Sequence, residues 1–131
     1  IKNKTLSLKQ FADKFAKTID NRPVLLKLLA MNLYDLESNC SLQDLTVFKQ
    51  EYKRAINTVN KLLTGYFPQM SDKEKDNFLY TFFPFMFGLY PYANVTEKQK
   101  TAMKNVGLKY PTKSVYEFVY QTLLVLLNNY K

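Results

Sequence analysis

Ten tyrosines, ten phenylalanines, four methionines and one cysteine are the residues of this chain with distinctive chemistry to offer, and there is no histidine. Losing histidine removes the commonest general base and the commonest metal ligand. Cys40 has no second cysteine to bridge to and no imidazole to activate it, so it reads as a passive loop thiol. Zinc sites built from clustered Cys and His are excluded, and no cofactor motif is present. Carboxylates and tyrosines remain, but no pair of them stands out as an acid–base couple. What the residue types do favour is binding. Aromatic rings and flexible thioethers can line an apolar cavity, and tyrosine adds a hydroxyl beside an aromatic face. The large side chains placed to face an interior are Met31, Tyr34, Phe48, Tyr52, Phe82, Met86 and Tyr90, with Met103 positioned to close the opening. Each of these is equally at home as ordinary core. Asp35 and Glu37 are available to a cationic ligand.

These residues need helices to hold them. Five Ser or Thr residues are followed three positions later by an acidic or amide residue: Ser7 and Gln10, Ser41 and Asp44, Ser71 and Glu74, Thr96 and Gln99, Ser114 and Glu117. In a capping box the hydroxyl accepts the backbone N–H three residues on, and the side chain there reaches back to the cap. One such pair is weak, but five, each leading into a helical apolar pattern, predict an all-α fold. The first helix spans about 7–20, with Leu8, Phe11, Phe15 and Ile19 on one stripe. Pro23 suits the first turn of a second, about 23–37, which is apolar on nearly every side. A third runs over about 42–66 with regular 3,4 spacing and a wet face of Lys49, Lys53, Arg54 and Lys61. The fourth begins near Asp72 and becomes strongly aromatic, and Pro84 is expected to kink it near Tyr80. A fifth, about 97–106, stops at Gly107, and a sixth covers about 115–129. The short breaks imply a single antiparallel bundle of about six helices, one domain over residues 1–131.

At 131 residues the chain is long enough to bury a core. Its net charge of +8 gathers at the two ends, +4 in residues 1–22 and +4 in residues 95–131, with none between. A basic N-terminal segment suits a place near nucleic acid or an anionic membrane, and equally a solvated surface. The longest apolar stretch, 78–93, holds two prolines and a glycine and falls short of the ~20 residues that cross a bilayer. No secretory leader is visible, and a lone cysteine fits a reducing compartment, so a soluble, cytoplasmic protein is expected. The chain begins at Ile1, which fits a fragment or a processed form.

The fourth and sixth helices carry more apolar surface than so short a chain has material to cover. A homodimer through those two helices is the expected remedy, because C2 pairing is the commonest closed solution. Its interface would draw on Phe83, Phe87, Tyr116, Val119, Tyr120, Leu123, Leu126 and Leu127.

Several segments together resemble a known family. Arg22-Pro23 opens an apolar helix, and Ser41 leads into Phe48-Lys49. Gly88-Leu89-Tyr90-Pro91-Tyr92-Ala93 is followed by Ala102-Met103-Lys104-Asn105-Val106-Gly107-Leu108. Over about residues 20–130 this resembles the C-terminal effector-binding and dimerisation domain of TetR/AcrR-type transcriptional regulators, closest to a subgroup of Gram-positive bacteria. The resemblance implies a homodimeric repressor, a pocket for a small apolar or cationic effector, and operator binding through an N-terminal helix-turn-helix. That helix-turn-helix would lie ahead of Ile1, and the first helix would be its connector. The alternative function is a non-sensing helical protein-interaction module with a solid core and an exposed apolar groove.

Overall fold

Helices begin in this chain where its Ser and Thr caps put them. The computed structural model describes residues 7–22, 38–110 and 112–130. Within them lie α1 (Leu8–Asp20), α2 (Leu42–Tyr66), α3 (Asp72–Ala93), α4 (Glu97–Asn105) and α5 (Val115–Leu126), then a 3-10 turn, Asn128–Tyr130. No strand occurs among the described residues, and the fold is all-α. The helix expected over 23–37 lies outside the described residues.

All five caps accept the N–H three residues on, at 3.1–3.2 Å. Only Ser7, Ser71 and Ser114 complete the reciprocal box, with the N–H of the cap donating to Gln10, Glu74 or Glu117 at 2.8–3.0 Å. At Ser41 the partner is Asp44, one methylene shorter than glutamate, and it makes no return bond. The end of α4 is equally specific. Gly107 adopts φ +72°, the N–H of Leu108 reaches the Met103 carbonyl at 2.8 Å, and the N–H of Gly107 reaches Lys104 at 3.1 Å. That pair of bonds is a Schellman closure, which favours glycine at the left-handed position.

Helix α3 runs unbroken through Pro84 and Pro91. The carbonyls of Tyr80 and Phe87 thereby lose their usual donors, and both prolines sit on the exposed side, where water can take the vacancy. Helix α5 ends at Leu126, earlier than its apolar pattern suggests, and the chain tightens into the 3-10 turn. There the Tyr130 hydroxyl donates to Glu74 at 2.8 Å, and the Gln69 amide donates to the Tyr130 carbonyl at 2.6 Å. Both bonds fasten the end of the chain to the start of α3.

The most extensive packing joins α1 to α5, with α3 against α5 and α2 against α3 completing the core. Ala12 and Ala16 are fully buried and share the α1 face that carries Asp13, whose carboxylate accepts a hydrogen bond from the Tyr116 hydroxyl of α5. Two small side chains let the α1 backbone approach closely. The other buried face of α1 sends Phe11 against Phe67 (5.2 Å, edge-on) and Phe15 against Phe82 (5.5 Å, edge-on). Val119, Leu123 and Leu127 of the C-terminal segment join Leu63, Phe78, Leu79, Phe82, Met86 and Leu89 in one continuous core. Helix α4 buries none of its residues. Among the described residues, no helix is long and apolar enough to cross a membrane.

Candidate functional site

A cavity of about 180 Å³ lies where α1, α2 and α3 meet. Helix α1 contributes Phe15 and Ile19, one turn apart on its apolar stripe. From α2 come Phe48, Tyr52, Ala55 and Val59, at the 4,3,4 spacing that keeps side chains on one face. Helix α3 supplies Phe82, Phe83 and Met86. The rings brace one another. Tyr52 meets Phe83 edge-on at 5.6 Å, Phe82 meets Phe83 edge-on at 6.1 Å, and Phe82 stacks on Phe78 at 5.4 Å. Such offset and edge-on contacts add to simple burial and fix ring orientation.

The surface of this cavity is almost wholly apolar. Glu51 reaches its rim, but both carboxylate oxygens accept from the Arg54 guanidinium, at 2.7 and 2.8 Å, and the pair faces solvent. Lys49 lies 5.5 Å from the centre of the Tyr52 ring and 6.0 Å from that of Phe48. Burial pushes the Tyr52 hydroxyl up from its ordinary pKa, and neighbouring Tyr80 adds to the effect. The phenol is therefore neutral at ordinary pH.

A second, more open cavity of about 270 Å³ flanks the first between α1 and α2. Phe15, Ile19 and Val59 belong to both and form the partition. Its far side is Phe11, Leu62 and Tyr66, with Lys14, Thr18 and Thr58 at the edge. The threonine hydroxyls donate to backbone carbonyls one turn back, Thr18 to Lys14 and Thr58 to Arg54, each at 2.9 Å.

Of the expected pocket residues, Phe48, Tyr52, Phe82 and Met86 come together in the first cavity. Tyr90 and Met103 are half-buried and do not line it, while Met31, Tyr34, Asp35 and Glu37 lie outside the described residues. Sequence reasoning missed the α1 wall, although Phe15 and Ile19 were visible as an i,i+4 pair. Phe83, expected at a dimer interface, is 7% exposed and lines the cavity. Val119, Leu123 and Leu127 are buried within the chain against α1 and α3, which leaves them almost no exposed surface. Phe87, Tyr116, Tyr120 and Leu126 keep partial exposure.

The perturbed acids sit away from the cavity, in clamps between segments. Hydrogen bonds from Tyr116 and Lys17 hold Asp13 below the usual carboxylate range, and Asp13 pushes Tyr116 up to about 12. The Ser71 N–H and then the Tyr130 hydroxyl lower Glu74, which in turn raises Tyr130. Among the described residues no cluster of His, Cys, Asp and Glu could hold a metal ion. The arrangement of greatest chemical specificity is an apolar, ring-lined chamber.

Compared with known proteins, residues 2–128 match the family described as tetracyclin repressor-like, C-terminal domain. No curated protein and no solved structure matches.

Proposed function

The chain belongs to the tetracyclin repressor-like C-terminal domain family, and from that premise we propose that it is the effector-sensing and homodimerisation domain of a bacterial, cytoplasmic TetR-type transcriptional repressor. The observation that carries the sensing half is the ring-lined cavity between α1, α2 and α3. A module built only for protein contact would have a filled core there. In this reading residues 1–131 act as one regulatory domain, and operator DNA is contacted by a separate N-terminal helix-turn-helix. Helix α1 is the connector to that head. Two of its side chains, Phe15 and Ile19, wall the cavity, so a bound effector touches the element that leads to DNA.

Dimerisation is assigned to the outward faces of α3 and α5. Tyr80, Tyr92 and Val125 are 62%, 63% and 75% exposed there, an apolar surface that a second copy would cover. Phe87, Tyr116, Tyr120 and Leu126 of the expected interface are partly buried and keep some surface of their own. Analytical ultracentrifugation of the chain tests this half of the proposal. A dimer at micromolar concentration is expected, and a strict monomer at high micromolar concentration would refute it.

A further inference from the structure

We propose that the first cavity selects a neutral, single-ring aromatic molecule and discriminates against charged effectors of the same size, an inference that rests on the sensing role proposed above. Volume sets the size. An apolar cavity of about 150 Å³ lined by aliphatic and aromatic side chains stays dry and takes benzene, and the chamber here is about 180 Å³. That is below the range of ~300–1,000 Å³ usual for drug-sized ligands. The Phe15, Ile19 and Val59 partition separates it from the second cavity, so a larger guest that stays between the helices would have to displace those side chains.

Shape and polarity set the class. Five rings (Phe15, Phe48, Tyr52, Phe82 and Phe83) surround the space, and their edge-on contacts are of the kind a sixth ring would extend. Moving a charge into such a lining forfeits its hydration, and no described side chain is placed to compensate it. The carboxylate at the rim, Glu51, is already held by both of its oxygens on Arg54. A cation seeking the aromatic faces meets Lys49 beside the Tyr52 and Phe48 rings, and Phe82 already stacks on Phe78. An anion can draw on Lys49 only from outside the lining, and inside it meets a wall of apolar atoms. Among the described residues, both signs of charge therefore go uncompensated, each for its own reason.

The test keeps the ring constant and varies only the charge. Toluene, benzyltrimethylammonium and benzoate are titrated into the chain by calorimetry, with the melting temperature followed in parallel. Toluene is expected to bind and raise the melting temperature, with both ions at least about tenfold weaker. Ala55→Trp fills the cavity from an exposed lining position, so it should abolish toluene binding while far-ultraviolet circular dichroism stays unchanged. Tyr52→Phe should leave toluene affinity within about twofold, because the lining offers the guest no polar contact. Ionic ligands that match or exceed toluene, or toluene binding that survives Ala55→Trp in a folded protein, would overturn the proposal. If none of the three compounds binds to a protein that sediments as a dimer, the ligand class is wrong while the regulator reading stands. A strict monomer removes that reading itself.

Discussion

Two tyrosine–carboxylate bonds tie distant parts of the chain together, and each has a defined pH window. Tyr116 of α5 donates to Asp13 of α1, and Tyr130 donates to Glu74 at the start of α3. The first bond needs a neutral phenol and an ionised carboxylate. Tyr116 is raised from 10.0 to about 12 in the fold, so its contribution is complete below pH 10 and is lost as pH climbs to about 12. Asp13 is lowered from 3.8, so on the acid side the contribution is complete above that value and is lost as pH falls below it. Tyr116→Phe should therefore unfold at lower urea than the parent near neutral pH. The gap should close between pH 10 and 12, which urea titrations across that range would show. A gap that is constant through pH 12 would mean that the hydroxyl stabilises by some route other than its bond to the ionised Asp13. Caps act at the same scale. Ser114→Ala removes the hydroxyl that holds the first turn of α5 and is expected to cost about 1 kcal/mol in a urea titration.

At the scale of elements, the junction of α1 with α5 and the end of α4 make opposite demands on side-chain size. Ala16 is fully buried beneath α5, where there is no room to grow. Ala16→Leu should overpack the seam and lower stability by about 1–3 kcal/mol, seen as a reduced urea midpoint. Gly107 is the reverse case: an added Cβ would meet nothing within 4 Å, yet φ is +72°. The cost of Gly107→Ala is thus backbone strain alone, about 1–2 kcal/mol, and thermal denaturation should show it without loss of native helicity. Gly88 has the same open space and an ordinary helical φ, and Gly88→Ala should be neutral or slightly stabilising. Comparing the two glycines separates strain from packing.

At the scale of the whole molecule the proposed association depends on the outward faces of α3 and α5. Helix α1 shields the inward face of α5, and the apolar side chains that stay outward are few but large. Val125→Glu places a charge on that outward face without touching the core. It is expected to shift sedimentation from dimer toward monomer while leaving circular dichroism intact. An unchanged dimer would move the interface elsewhere on the surface.

The sequence by itself determined where helices start, and where α4 stops, because capping is a local interaction. Ser7, Ser41, Ser71, Thr96 and Ser114 each accept a hydrogen bond only three residues away, and Gly107 answers to its own dihedral angle. All-α architecture and part of the α2 and α3 walls of the cavity were legible for the same reason: Phe48, Tyr52, Phe82 and Met86 repeat with a helical period. Tertiary structure alone decided which apolar face meets which. Periodicity marks Leu123 and Leu127 as buried, but burial against α1 and burial against a second copy write the same pattern. Ala12 and Ala16 carry too little apolar surface to stand out in a sequence, although they set the approach of α1 to α5. Phe15 and Ile19 became cavity walls only once α1 was laid across α2 and α3, a contact between residues some thirty to seventy positions apart that no local interaction encodes.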